Sequence, residues 1–357
     1  MKARVAVPLF SVIAFAVLMA LTGVAIAPKD VWPNVLLSGF FLAGIGLGAG
    51  FVIAVHDASN GRWLGPVRDI AWALTRLVLP GSVIVLIAII AGGSHLYPAF
   101  HEHFDGFKGV WLGRLFFTTR AIVYAAAGLF SLRLLKKRPA AFIVIFAITV
   151  WLASVDWVMA LEAEWASTIF GVYHFSGLVT AALAAILIIA AKRSRTVHAI
   201  TSDHIHDVAK LLFAFSTFWM YIWFSQGMLI WYGNLREETG YYAVRAYGNW
   251  GVLFWAVVAL MWALPFVVLL SEKAKRNRTI APRVAVAVLI GHWLDLYVSI
   301  VAAGAAEPRL TGWELALALG TFAAVGWAAT SRPSVTLNRD RSSQTNGQSV
   351  HMLAAPL

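Results

Sequence analysis

The chain has 357 residues, of which 60% are hydrophobic and only 13% are charged, and sixteen of them are tryptophan. This composition excludes an ordinary soluble globular protein, and the recurring apolar stretches of about 20 residues predict a polytopic helical membrane protein. Because the chain has no cysteine, it can form no disulfide, thiolate metal site, covalently attached c-type haem or cysteine-ligated iron–sulfur cluster. The net charge of +11 is more typical of positive membrane loops than of a nucleic-acid binder.

The lengths of the apolar stretches predict an all-α fold with ten transmembrane helices. The predicted spans are 5–27, 34–56, 69–93, 113–134, 140–162, 166–191, 208–232, 249–271, 281–303 and 312–331. The first span resembles a signal peptide, but it is long enough to cross a bilayer and we expect it to be retained. We expect residues 1–331 to form a single transmembrane domain. Residues 332–357, rich in Ser, Asn, Gln and Arg, are expected to form a disordered cytoplasmic tail.

The loops between these spans alternate between many and few positive charges. The richer loops hold Arg62 and Arg68; Arg133, Lys136, Lys137 and Arg138; Lys192, Arg193 and Arg195; and Lys273, Lys275, Arg276 and Arg278. The poorer loops hold Lys29, Lys108, Arg114, Arg236, Arg245 and Arg309. Cytoplasmic loops are enriched in Lys and Arg, so this pattern predicts that both termini are cytoplasmic. The segment Ser94–Gly109 is interpreted as a solvated outer loop, since its histidines lack a fixed zinc-ligand spacing.

Two patterns concern how the spans pack. The second span carries Gly39, Gly44, Gly46, Gly48 and Gly50, and small residues spaced in this way let helix backbones approach closely. Spans five and nine each place an aspartate beside an aromatic residue, in 155–157 and 294–297. This weak regularity is consistent with two four-helix bundles, 34–162 and 166–303, flanked by the first and last spans.

Several polar residues fall within the predicted spans, at related depths in the outer half of the membrane. These residues are Arg120, Asp156, His174, Gln226, His292 and Asp295. Charged groups are costly in lipid, so such a group often serves a proton, an ion or a polar ligand. Simpler interpretations are also open: Arg120 and Asp156 could form an ion pair, Gln226 could bridge helices, and His174 could be a packed histidine.

A smaller polar group lies near the predicted inner side. Asp57 falls at the end of span two, and Asp69 and Arg76 lie seven residues apart on one face of span three. These residues are candidates for an inner proton entry, although helix-end charges and an internal ion pair are the commoner explanation. No nucleotide-binding loop is present, and His174 and His292 differ in depth, which disfavours a b-type haem between them.

Four stretches resemble signatures of a known family. They are 156–171, 211–232, 236–239 and 292–297. Together they resemble the F subunit of bacterial alternative complex III, a quinol:cytochrome c oxidoreductase. That subunit is related to the NrfD-like membrane subunits of the polysulfide-reductase type. The resemblance extends from about the second to the ninth span. One departure is that the family's usual Ser-Leu-Glu-Pro is Ala-Leu-Glu-Ala here, at 160–163.

The resemblance implies a ten-helix fold with two four-helix bundles in the inner (cytoplasmic) membrane of a bacterium. It implies a subunit without a redox cofactor of its own, with haem and iron–sulfur clusters confined to partner subunits. Quinone or quinol is the possible ligand. The motif matches imply Asp156, Glu162, His292 and Asp295 as proton-transfer or quinol-binding candidates, while Arg120, His174 and Gln226 are candidates from depth alone.

We therefore expect a membrane subunit of a respiratory quinol:electron-acceptor complex, contributing to quinol binding or to proton transfer near the outer side. The chain alone is not expected to be catalytic. Two alternatives stay open. One is a proton-coupled secondary transporter, although the isolated Pro80 and Pro265 do not give the matched broken helices common in that class. The other is a structural scaffold that docks partner subunits.

Overall fold

The structure is a computed structural model that describes residues 2–61, 63–309 and 311–330, with the side chains of 2–6 and of Glu237 excepted. The predicted tail 332–357 and the loop charge Arg62 lie outside the described residues. Across the described part of the chain, all regular secondary structure is helical and ten helices are long and apolar enough to cross a membrane. The predictions of an all-helical fold and of ten spans are thus confirmed, and the chain is a multi-pass membrane protein.

The ten spanning helices are labelled α1 to α10 in chain order. They are α1 (Lys2–Ile26), α2 (Pro28–Ala58), α3 (Gly65–Leu96), α4 (Arg114–Leu134), α5 (Pro139–Leu161), α6 (Phe170–Arg193), α7 (Ser202–Gly233), α8 (Gly248–Leu269), α9 (Ile280–Ile300) and α10 (Gly312–Thr330). The largest differences between predicted and observed helix bounds are at the N-terminal ends of α2 and α7. Helix α2 begins at residue 28 rather than 34 because Pro28 suits the first helical turn. Helix α7 begins at residue 202 rather than 208, where Thr201 and His204 hydrogen-bond to each other across the first turn.

Two spanning helices are irregular near a proline. Helix α3 contains a 3₁₀ turn at Thr75–Leu77 ahead of Pro80, and α8 contains a π turn at Ala259–Ala263 ahead of Pro265. Proline lacks the N–H that would bond the carbonyl four residues earlier, which in α8 belongs to Met261. The hydroxyl of Ser216 on α7 donates a hydrogen bond to that carbonyl. The π turn is therefore stabilised by a neighbouring helix rather than left with an unpaired carbonyl.

Three helices in the loops were not predicted from the sequence, and the shortest of them (Glu272–Arg276) lies between α8 and α9. The first loop helix (Gly106–Leu112) precedes α4, and the second loop helix (Arg236–Ala246) precedes α8. The prediction that 94–109 is a solvated loop is therefore only partly right. Helix α3 continues to Leu96, a 3₁₀ turn follows at Pro98–Phe100, and the first loop helix begins at Gly106. The first and second loop helices lie at the end of the protein that the charge pattern predicts to be outer.

Helix α2 lies at the centre of the molecule and is almost entirely buried. It contacts α3, α5, α6 and α10. A Cβ atom on Gly39 would lie 2.7 Å from the backbone N of Val85 in α3, and one on Gly44 would lie 2.1 Å from Cδ2 of Leu178 in α6. The glycines of α2 thus allow close backbone approach to other helices of this same chain.

The remaining contacts follow the order of the chain. Among α2 to α5, α2 contacts α3 and α5, and α4 contacts the same two helices. Among α6 to α9, α6 contacts α7 and α9, and α8 contacts the same two. Helix α2 also packs against α6, while α1 packs mainly against α10. The inner positions of α2 and α6 bring residues of both groups of helices together near the predicted outer end.

Candidate functional site

Asp156 lies near the end of the α-helical part of α5. The α-helical part of α5 ends at Trp157, and a 3₁₀ turn at Met159–Leu161 follows. Asp156 is still buried, since the first loop helix and the start of α4 cover it.

Three side chains donate hydrogen bonds to the Asp156 carboxylate. Nε1 of Trp111 lies 3.0 Å from Oδ1, Nε of Arg120 lies 2.7 Å from Oδ2, and the Tyr124 hydroxyl lies 2.9 Å from Oδ2. Trp111 comes from the first loop helix, and the other two come from α4. The Arg120–Asp156 ion pair, one of the interpretations that the sequence allowed, is therefore present, and both of its side chains are buried.

The Arg120 guanidinium is also held by aromatic rings. Its Cζ atom lies 3.9 Å from the centroid of the Trp111 ring and 4.6 Å from that of Phe116. Its Nη1 atom donates to the carbonyl of Trp111 at 2.8 Å. Aromatic faces and a hydrogen-bonded carboxylate offset part of the cost of removing a guanidinium from water. The charges within this first cluster (Trp111, Arg120, Tyr124 and Asp156) therefore neutralise each other, although Nη2 of Arg120 has no hydrogen-bond partner among the described residues.

A second cluster joins α6 and α9. The Tyr173 hydroxyl donates a hydrogen bond to Oδ1 of Asp295, and Nδ1 of His292 lies 3.8 Å from Oδ2 of the same carboxylate. His292 and Asp295 lie three residues apart and present one helix face, as the sequence predicted. Both are buried, with 0% and 4% of their surface exposed. No basic side chain donates to Asp295 among the described residues, so this carboxylate lacks the neutralising partner that Asp156 has.

His174 completes the second cluster (Tyr173, His174, His292 and Asp295). The centroid of its ring lies 4.4 Å from that of Phe170 and 5.5 Å from that of Phe40, both edge to face. Neither ring nitrogen of His174 or of His292 has a hydrogen-bond partner among the described residues. Across the same part of the chain, no group of three or more His, Cys, Asp or Glu side chains is placed to hold a metal ion.

A third cluster was not identified from the sequence. Arg245, in the second loop helix, is only 1% exposed and forms an ion pair with Glu162. Its Nε donates to the carbonyl of Val298 at 3.2 Å and its Nη1 to that of Tyr241 at 3.2 Å. The guanidinium lies 3.6 Å from the Tyr241 ring centroid. Burial raises the pKa of Tyr241 to about 12, so this ring stays neutral at physiological pH.

Gln226 lies between two cavities. On one side is a buried cavity of about 20 Å³, large enough for roughly one water molecule. Its walls include Gln226, Asp295, Arg245, Tyr241, Tyr173 and Ser299. On the other side is a lateral groove of about 560 Å³ between α5 and α7. The second and third clusters therefore share one small polar space, and Gln226 borders it.

The inner candidates form a looser group. Asp57 pairs with Nη2 of Arg68 at 2.5 Å and with Nδ1 of His56 at 3.0 Å. Asp69 and Arg76 are both exposed on α3. Arg76 lies within the 3₁₀ turn at Thr75–Leu77. These groups resemble surface charges at a helix end more than a buried proton entry.

Comparison of the chain with models of known protein families gives no match, and comparison with curated proteins gives none either. The resemblance described from the sequence therefore rests on its motifs alone. Chemically, the second cluster combines a buried carboxylate, two histidines and a tyrosine, which are groups that accept and donate protons.

Proposed function

We propose that this chain is a membrane subunit of a respiratory quinol:electron-acceptor oxidoreductase complex in the inner membrane of a bacterium. The proposal includes cytoplasmic termini and two four-helix bundles, α2 to α5 and α6 to α9, with α1 and α10 at their side. The alternating loop charges support the orientation, and the helix contacts described above support the grouping. The four family-like stretches support the assignment to such a complex.

One observation carries the functional part of the proposal. Asp295 is a buried carboxylate that accepts a hydrogen bond from Tyr173 and lies 3.8 Å from His292, with no basic donor among the described residues. A carboxylate in such a place is poised to take up and release a proton. Asp156 differs, because Arg120 already neutralises it. We assign proton transfer to the second cluster, and to Asp156 a role in positioning the neighbouring helices.

Quinol oxidation gives one quinone, two protons and two electrons. In the proposed complex, the iron–sulfur and c-type haem centres of partner subunits accept the electrons. This chain contributes groups that accept protons and pass them towards the predicted outer side. Asp295 and His292 would receive a proton, and the buried cavity that Arg245 lines would lead it outward.

Purification of the native assembly through this chain tests the proposal. Co-purifying subunits, the haem spectrum and quinol:cytochrome c activity are recorded together on the gently solubilised sample. We expect c-haem and iron–sulfur proteins with quinol oxidation. A lone haem-free chain without quinol activity would overturn the assignment, and proton-coupled flux by that chain in liposomes would favour a secondary transporter.

A structural scaffold is the second candidate, and the first cluster favours it. Asp156 has three donors and a buried cationic partner, which is what a stabilising internal pair requires. In a scaffold, changes in either cluster would lower the amount of assembled complex while leaving the turnover per complex unaltered. Wild-type turnover and proton release in an assembled Asp156→Asn complex would exclude Asp156 from the proton path.

A further inference from the structure

The lateral groove opens on the apolar outer surface of the spanning helices. Its walls come from α5 and α7 and include Trp151, Val155, Leu229 and Ile230. Trp151 and Leu229 are 46% and 59% exposed on the apolar surface of the spanning helices. A space of about 560 Å³ lies within the usual range of small-molecule sites. A molecule dissolved in the bilayer can therefore reach this groove without passing through water.

The groove also has polar lining residues. Gln226 and Glu238 border it, together with Ser167 from the turn between α5 and α6. Gln226 is only 3% exposed, and its Nε2 atom has no hydrogen-bond partner among the described residues. A buried donor without a partner is unfavourable, so a ligand oxygen that accepts a hydrogen bond from Nε2 would be stabilised there. The groove thus joins an apolar entrance to a buried amide donor and a carboxylate.

Gln226 also borders the buried cavity that contains Asp295 and Arg245. That cavity has room for about one water molecule, which is enough for a single proton-carrying bridge. The Gln226 side chain would therefore separate a ligand oxygen bound in the groove from the second cluster. The groove, the Gln226 amide donor and the buried proton acceptor Asp295 therefore follow one another from the apolar surface inward.

We propose that the lateral groove binds the ring of a quinol, entering from the bilayer between α5 and α7, with the Gln226 amide donating to a ring oxygen. The apolar walls match the tail and ring of a quinol, and the polar lining residues match its ring oxygens. The choice of a quinol rests on the function proposed above. The location of the site, and the role of Gln226 as its donor, rest on the structure.

Photolabelling tests the site in the purified native complex. An azido-quinone is irradiated with the sample, labelled positions are mapped by mass spectrometry, and decylubiquinone is the competitor. We expect competed labelling within 151–169 and 226–230. Gln226→Leu should weaken competition roughly two- to tenfold, the value of one lost hydrogen bond. Asn34→Leu is the matched control, because Asn34 is another buried amide but lies on α2, away from the groove.

A second variant avoids any dependence on the folding of Gln226→Leu. Leu229→Trp fills the groove from its exposed rim and should abolish competed labelling, whereas Leu79→Trp on the exposed face of α3 should not. Labelling that decylubiquinone does not displace, or that is equal in wild type and Leu229→Trp, would overturn the site. Labelling needs no electron acceptor, so it separates the two proposals. A complex that oxidises quinol with an unlabelled groove contradicts only the site, and a labelled groove without oxidase activity contradicts only the function.

Discussion

Arg120 and Asp156 form a buried ion pair between α4 and α5, with Nε 2.7 Å from Oδ2. Trp111 and Tyr124 donate to the same carboxylate, so its charge is matched and its oxygens are occupied. Asp295, at the corresponding place in α9, has Tyr173 as its donor and a histidine beside it. Two aspartates with similar sequence surroundings therefore have different electrostatic environments, and their substitutions should have different effects.

Asp156→Asn should mainly reduce stability. The change leaves the Arg120 guanidinium buried without a counter-charge, which typically costs about 3–5 kcal/mol. Thermal or denaturant unfolding of the purified protein in detergent measures this loss. The double variant Asp156→Leu with Arg120→Leu should recover much of it, because no isolated charge is left. If the double variant were as unstable as Asp156→Asn, a buried unpaired charge would not be the cause.

Asp295→Asn should mainly reduce turnover. The amide keeps the shape of the side chain but cannot take up a proton, and loss of a proton-transfer group commonly lowers rates by at least about 100-fold. Quinol:cytochrome c activity per assembled complex measures the effect. Asp105→Asn serves as the control, since Asp105 is fully exposed in the loop before α4. Normal turnover in an assembled Asp295→Asn complex would contradict the proposed role.

Arg245→Gln should loosen the second loop helix. Arg245 binds Glu162 and donates to the carbonyls of Val298 and Ser299 in α9, so its loss removes several charge-assisted hydrogen bonds. Hydrogen exchange over 236–246 should become faster by about tenfold or more. Glu162→Gln should have a smaller effect, because the carbonyl contacts persist. Arg236→Gln, at an exposed position of the same helix, should leave exchange unchanged.

Gly39→Ala should destabilise the packing of α2 against α3. The new methyl group would lie 2.7 Å from the backbone N of Val85, and backbone cannot move aside as a flexible side chain can. Such overpacking typically costs about 1–3 kcal/mol in the free energy of unfolding. Gly240→Ala, where nothing lies within 4 Å, should be neutral or slightly stabilising. Equal unfolding curves for the two variants would show that α2 and α3 can move apart to admit the methyl group without loss of unfolding free energy.

The number and order of the spanning helices follow directly from the sequence because a bilayer imposes a minimum apolar length. Their ends are less predictable, since Pro28 and Thr201 begin helices within polar sequence. The loop helices are short and border the membrane, so hydropathy does not distinguish them from solvated loops.

The candidate site was only partly predictable for a different reason. The three-residue spacing grouped His292 with Asp295, because residues so spaced share a helix face, and their side chains lie 3.8 Å apart. Such spacing could not find Trp111, Tyr173 or Arg245, whose partners lie 45, 122 and 83 residues away in the chain. Tyrosine and tryptophan are common in membrane helices, so neither residue type signals a hydrogen bond to a distant carboxylate. Arg245 was counted as an ordinary loop charge, although it is almost fully buried.

The spacing of the two ion pairs has a consequence for synthesis. Arg120 precedes Asp156 by 36 residues on adjacent helices, so the charge of Asp156 can be neutralised as soon as that hairpin enters the membrane. Glu162 follows within a few residues, but its partner Arg245 is translated 83 residues later. A nascent chain that stops at the end of α7 would therefore contain both residues of the first pair but only Glu162 of the second. Because Arg245 also donates to the carbonyls of Val298 and Ser299, the second loop helix is fully attached only after α9 has been translated.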